Sequence, residues 1–105
     1  MAFKNSTDEK FQEQISGDKL SLIQFSASWC GPCQQLKPII EKISNDKVDK
    51  IDCYYHDIEA QPNEPTKHSV RGVPTVLLFK GGKLLGTKVG ATSEKDMIEF
   101  IQPHI

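Results

Sequence analysis

Cysteine is scarce in this 105-residue chain, which has three, an odd number. That is too few for the disulfide framework of a small secreted domain. Long hydrophobic runs are missing as well. No apolar stretch approaches the roughly 18 residues that span a bilayer. The start, Met1-Ala2-Phe3-Lys4-Asn5, lacks the apolar core of a secretory signal. The expected location is the cytoplasm, with no membrane attachment. No charge of one sign dominates. Thirteen Lys and Arg against 14 Asp and Glu leave a formal net charge of −1, and no Lys/Arg run is dense enough for a basic patch. A general affinity for nucleic acid or anionic lipid is therefore not expected. Internal repeats, low-complexity segments and interdomain linkers are also lacking.

What is present fits one globular domain over residues 1–105, read as a monomer. The 37% hydrophobic and 26% charged content is ordinary for such a chain. Ser6 and Glu9 have capping-box spacing, which predicts a helix over Asp8 to Ile15, ended at Ser16-Gly17-Asp18. Leu20 to Ala27 is apolar-rich and suits a buried central strand. Leu36, Ile39, Ile40 and Ile43 then recur at helical spacing, with Pro38 inside the pattern as an expected kink. Glu41 and Lys42 fall on a solvated helix face. Lys50 to His56 reads as a strand, and Gln61 to Ser69 as a polar connection with room for a short helix. Thr75 to Phe79 is a strong strand. Lys80-Gly81-Gly82-Lys83 is a hairpin turn, and Leu84 to Val89 is the returning strand. Thr92 or Ser93 caps a last helix with Met97, Ile98 and Ile101 inward. Early alternation of helix and strand implies parallel pairing, and the late hairpin implies antiparallel pairing. The fold class is α/β, a central mixed sheet flanked by helices on both faces.

Two of the cysteines stand together in Trp29-Cys30-Gly31-Pro32-Cys33. Two intervening residues at a helix start bring the sulfurs within reach of a disulfide. At that position, backbone N–H groups and the positive end of the helix dipole face the Cys30 sulfur and favour its thiolate, the nucleophile of disulfide exchange. Cys33, one turn further in, is the shielded partner suited to the resolving step. Closing so short a loop stabilises little, which argues against a purely structural bridge. A zinc site would need further ligands from Cys53, His56, His68 or His104, and their spacing forms no metal knuckle. No metal or organic cofactor is expected beyond the redox-active Cys30–Cys33 pair. Cys53 reads as a small buried hydrophobe.

The run Trp29 to Cys33 resembles the active-site motif of the thioredoxin family. Pro38 matches the proline inside that family's active-site helix. Arg71-Gly72-Val73-Pro74-Thr75 resembles its loop bearing a cis-proline opposite the dithiol. Phe79-Lys80-Gly81-Gly82 and Lys88-Val89-Gly90-Ala91 also fit, and the similarity covers essentially the whole chain. It implies reduction of protein disulfides, with electrons supplied by a flavoprotein thioredoxin reductase. It implies that Trp29, Gly72, Val73, Pro74 and Gly90 line the surface that receives substrate, and that Val73 offers backbone hydrogen bonds to an extended substrate strand. Gly31 and Pro32 between the cysteines favour a reductase over an oxidase or isomerase of the same fold. A binding subunit without turnover is the reading from a different class.

The chain departs from the family at one buried place. A usual Asp is Gln24 here, the Lys that accompanies it aligns with Tyr55, and Ser26 replaces a frequent aromatic residue. Gln can donate and accept hydrogen bonds but cannot act as a base. Two readings of Gln24 stand side by side. It supports the dithiol, directly or through a held water, or it is a tolerated core polar group satisfied by Tyr55 or water.

Overall fold

A computed structural model describes residues 3–105. Its elements run β1 (Phe3–Asn5), α1 (Phe11–Ile15), β2 (Leu20–Ser26), α2 (Gly31–Asp46), β3 (Ile51–Asp57), α3 (Asn63–Lys67), β4 (Thr75–Lys80), β5 (Lys83–Val89) and α4 (Glu94–Ile101), closed by a 3-10 turn over Gln102–His104. The five strands form one sheet in the order β1-β3-β2-β4-β5. β3 pairs parallel with both β1 and β2, whereas β4 pairs antiparallel with β2 and β5. The sheet is mixed, as the pattern of elements implied.

β2 is the centre, and all seven of its residues are buried. Strand geometry sends alternate side chains to opposite faces. Leu20 and Leu22 join Leu36, Ile40 and Ile43 of α2 and Met97 and Ile101 of α4 in one core. Ile23 and Phe25 join Phe11 and Ile15 of α1, with Leu77 and Phe79, in the other. Each fully buried Leu, Ile or Phe contributes about 1.5–3 kcal/mol, so the two layers hold the sheet between them. The stripe on α2 falls on its core face, and the helix runs on through Pro38. Lys42 meets Glu94 of α4 at 3.0 Å, an exposed pair. The hairpin turn puts Gly81 at φ 60° and Gly82 at φ 82°, where side chains are disfavoured. Ser93 caps α4 by accepting from the Asp96 N–H at 3.1 Å.

Two expectations need correction. β1 carries no sequence signal at three residues, yet it pairs with β3 from Phe3 to Asn5. The capping box at Ser6 and Glu9 does not form. α1 starts at Phe11 with Lys10 at its N-cap and no side-chain cap. Ser6 is drawn instead to a buried contact, its Oγ 2.7 Å from His56 Nδ1. Asp8 is drawn away too: its carboxylate accepts from the Asn63 and Glu64 N–H groups at 3.0 and 2.9 Å, at the start of α3. Long-range partners outcompete the local cap in both cases.

Candidate active site

β2 ends at Ser26 and the chain turns through Ala27 to Trp29 into α2. Cys30 is the N-cap of α2, extended at φ −91° and ψ 109°. Its carbonyl accepts from the Gln34 N–H at 3.2 Å, while its Sγ accepts from the Cys33 N–H at 3.2 Å. The sulfur thus takes the place that a Ser or Asp oxygen takes at other helix starts. Pro32 sits in the first turn, where its missing N–H costs nothing. Cys30 and Cys33 are joined as a disulfide, with Cα atoms 5.2 Å apart. Cys30 retains 6% exposure and Cys33 has none, so the outer sulfur is the one a substrate can approach. Trp29, 67% exposed, stands beside them.

The Arg71 to Thr75 segment comes up against this pair. The Val73-Pro74 peptide bond is cis. The Val73 carbonyl oxygen lies 3.7 Å from Cys30 Sγ, a contact without a shared hydrogen because a disulfide sulfur carries none. Thr75 Oγ1 donates to the Gly72 carbonyl at 2.7 Å and the Gly90 N–H to the Pro74 carbonyl at 2.9 Å. Gly90 stands at φ 91°, a conformation that favours glycine. Trp29, Cys30, Val73, Pro74 and Gly90 are thereby drawn to one end of the sheet.

Gln24 is fully buried on the α2 face. Its Nε2 donates to Ser26 Oγ at 2.8 Å and to the Cys33 carbonyl at 3.1 Å. Its Oε1 is buried with no hydrogen-bond partner among the described residues. Tyr55 is its register neighbour on β3 but not its partner. The Tyr55 hydroxyl instead accepts from Gln34 Nε2 at 3.2 Å, with Lys37 Nζ 4.6 Å over the ring. The expected Gln24–Tyr55 satisfaction is therefore absent: α2 offers a backbone carbonyl and β2 a hydroxyl closer at hand.

Sequence reasoning overlooked Ile58, which packs on Ala27, Cys30 and Cys33 together with Val73. Its only signal is an apolar residue just after a strand. Cys53 is buried in the α2 face, and burial pushes its thiol up to about 12, with Asp52 adding to the shift. His56, three residues on, packs on the opposite face against Phe11 and Phe25. Cys53 is thus separated from His56 and His68 by the sheet, and no group of three or more His, Cys, Asp or Glu is placed to hold a metal among the described residues. Among the described residues, no helix is long and apolar enough to cross a membrane.

Comparison with known proteins bears directly on the dithiol. The thioredoxin family model matches residues 2–103. Thioredoxin from Rickettsia bellii is 41% identical over 102 residues, covering 96% of this chain and 97% of that one. Thioredoxin from Buchnera aphidicola is 41% identical over 100 residues, 94% and 93% of the two chains. Thioredoxin from Acidithiobacillus ferridurans is 38% identical over 100 residues, again 94% and 93%. The chain therefore belongs to the thioredoxin family and is a thiol–disulfide oxidoreductase.

Proposed function

We propose that this protein reduces protein disulfides through a mixed-disulfide cycle, with Cys30 as nucleophile and Cys33 as resolving thiol. The observation that carries the assignment is the position of the Cys30 sulfur, at the mouth of α2 and bonded to the Cys33 N–H at 3.2 Å. That donor and the helix dipole favour the thiolate over the thiol. In the reduced protein the Cys30 thiolate attacks one substrate sulfur. The Cys30–substrate bond forms as the substrate S–S bond breaks, and the second substrate sulfur leaves as a thiolate that takes up a proton. Cys33, once deprotonated, attacks Cys30 Sγ. The Cys30–Cys33 bond re-forms and the first substrate sulfur leaves, completing a two-electron transfer. A flavoprotein thioredoxin reductase is the expected source of the electrons that open the Cys30–Cys33 bond again, and no metal or organic cofactor takes part.

Trp29, Gly72, Val73, Pro74 and Gly90 form the receiving surface. Among the described residues the Val73 N–H has no hydrogen-bond partner, which leaves it for an extended substrate strand. Gly31 and Pro32 keep the turn between the sulfurs compact. Gln24 is the positioning residue beneath. Its amide steadies the Cys33 carbonyl, and its spare Oε1 leaves an acceptor in the region where Cys33 must lose a proton. The protein works as a single-domain cytoplasmic monomer.

Insulin reduction by the wild type and by Cys33→Ser tests the assignment. Sustained turnover by the wild type and none by the variant supports it. Equal inactivity of both, with partner binding intact, would move the reading to a binding subunit. A Cys30–Cys33 potential near the roughly −270 mV typical of thioredoxins supports a reductase, and one near about −120 mV an oxidant.

A further inference from the structure

Beside the Gly72–Pro74 segment lies a trough that the dithiol chemistry does not use. Its floor is Thr75 and Leu77 of β4, and one wall is Leu84, Thr87 and Val89 of β5. The other wall is the connection from His68 to Gly72. β5 is an edge strand, and the helices on this face, α1 and α3, have five residues each. The sheet edge is left open, so that Leu84 is 46% and Val89 69% exposed. Its volume is about 220 Å³. An aliphatic cavity of about 150 Å³ accepts benzene, so this one has room for a Phe or Leu side chain.

The far wall is held rigidly. Ser69 takes the left-handed conformation at φ 57°, its N–H donates to the Thr66 carbonyl at 3.1 Å, and the Val70 N–H reaches back to the Pro65 carbonyl at 2.9 Å. This is a Schellman closure of α3. The His68 ring packs on Phe11 and Phe79 at 5.3 and 5.6 Å between centroids. A preformed pocket loses little on ordering when it is filled.

The trough also adjoins the reactive sulfur. Gly72 lines it and immediately precedes Val73, whose carbonyl touches Cys30 Sγ; Thr75 of the floor immediately follows Pro74. Nothing lies within 4 Å of where a Cβ on Gly72 would stand, so a chain can pass over it. An extended peptide on Val73 turns alternate side chains to the same face.

We infer that the trough is a specificity subsite that takes one large apolar side chain of the protein substrate, of the Phe or Leu class, flanking the cysteine that Cys30 attacks. It rests on the proposed receiving role of Gly72 and Val73. The subsite ranks substrates by their flanking residues, while the dithiol supplies the chemistry common to all of them.

Symmetric disulfide dimers of a Gly/Ser/Lys peptide test the inference, with a single Phe moved through the four positions on either side of the Cys. Single-turnover reduction by the reduced protein is measured for each. Phe at one position is expected to raise the second-order rate constant about tenfold over Gly there. In Thr87→Trp, whose ring fills the trough, and in Leu84→Lys, at an exposed site, that preference is expected to shrink to about twofold or less, while hydroxyethyl disulfide is reduced as before. Absence of any preferred position, or a preference that survives both variants, overturns the subsite. Failure to reduce even hydroxyethyl disulfide overturns the parent reading along with it.

Discussion

Gln24 and His56 stand near the same end of neighbouring central strands, and neither has any exposed surface. They point to opposite layers and are treated very differently there. Both ring nitrogens of His56 are occupied: Nδ1 lies 2.7 Å from Ser6 Oγ and Nε2 2.8 Å from the Gln61 carbonyl. That carbonyl can only accept, so Nε2 carries a hydrogen. Asp8 Oδ1 adds a contact at 3.3 Å, and the same carboxylate holds the start of α3. Gln24 has two acceptors for its amide nitrogen and no donor for its oxygen. A second buried side-chain oxygen without a hydrogen-bond partner among the described residues, Glu64 Oε2, faces Lys67 Nζ at 3.6 Å and is compensated by charge. A fully partnered polar group ties elements together, whereas the half-satisfied one lies beneath the dithiol. A buried group with an unmet bond calls for an explanation, and the proposed one here is function.

The widest separation between the two sites is expected from His56→Ala. It leaves the Gln61 carbonyl without its side-chain partner, removes one of the two contacts of Ser6 Oγ and opens a void between Phe11 and Phe25, a loss of about 3 kcal/mol readable by urea unfolding. Disulfide exchange by the folded variant is expected to stay within about twofold of wild type. Gln24→Leu should do the opposite. It removes the unmatched oxygen along with two hydrogen bonds, so stability shifts by about 1 kcal/mol or less, while the resolving step slows about tenfold. Gln24→Asp sharpens the point, because a carboxylate there can take the Cys33 proton. The pH–rate profile and the reduction potential should both move, and if both stay put, position 24 does not tune the dithiol.

A smaller effect is expected on the His56 side, where α3 ends on Ser69 in the left-handed conformation. Ser69→Gly relieves that strain and should raise stability by about 0.5–1 kcal/mol, seen as a higher Tm. The least effect at neutral pH concerns Cys53, a buried free thiol on the Gln24 face. In the folded reduced protein at pH 8, Cys30 should alkylate while Cys53 stays unmodified until urea is added. Folding holds its thiol neutral, with a pKa raised from 9.0 to about 12. Its contribution to stability is therefore complete below pH 9 and lost as pH rises toward 12. Relative to Cys53→Ala, the wild type should lose stability more steeply across that window. The difference between the two proteins isolates Cys53 from Tyr54, whose phenol is also raised, chiefly by burial.

Features carried by local pattern were legible in the sequence. The stripe Leu36, Ile39, Ile40 and Ile43, the apolar run of β2 and the Gly81-Gly82 turn depend on neighbours a few residues away. The Cys-Gly-Pro-Cys run is likewise self-contained, because its chemistry needs only a helix start. β1 was not legible, since three residues support no period and its existence depends on β3, some fifty positions on. The misread cap at Ser6 has the same cause: His56 and the start of α3 claim Ser6 and Asp8 from about as far away. Gln24 was visible as a departure from a family pattern. Its partners were not, because the Cys33 carbonyl reaches it only after α2 packs down on β2.

The central claim is that Cys30 attacks and Cys33 resolves. Incubating reduced Cys33→Ser with an oxidised protein substrate and reading the intact mass tests it most directly. The account predicts a covalent adduct of protein plus substrate, released by dithiothreitol and absent with Cys30→Ser. An adduct formed by Cys30→Ser through Cys33, with none from Cys33→Ser, would contradict it.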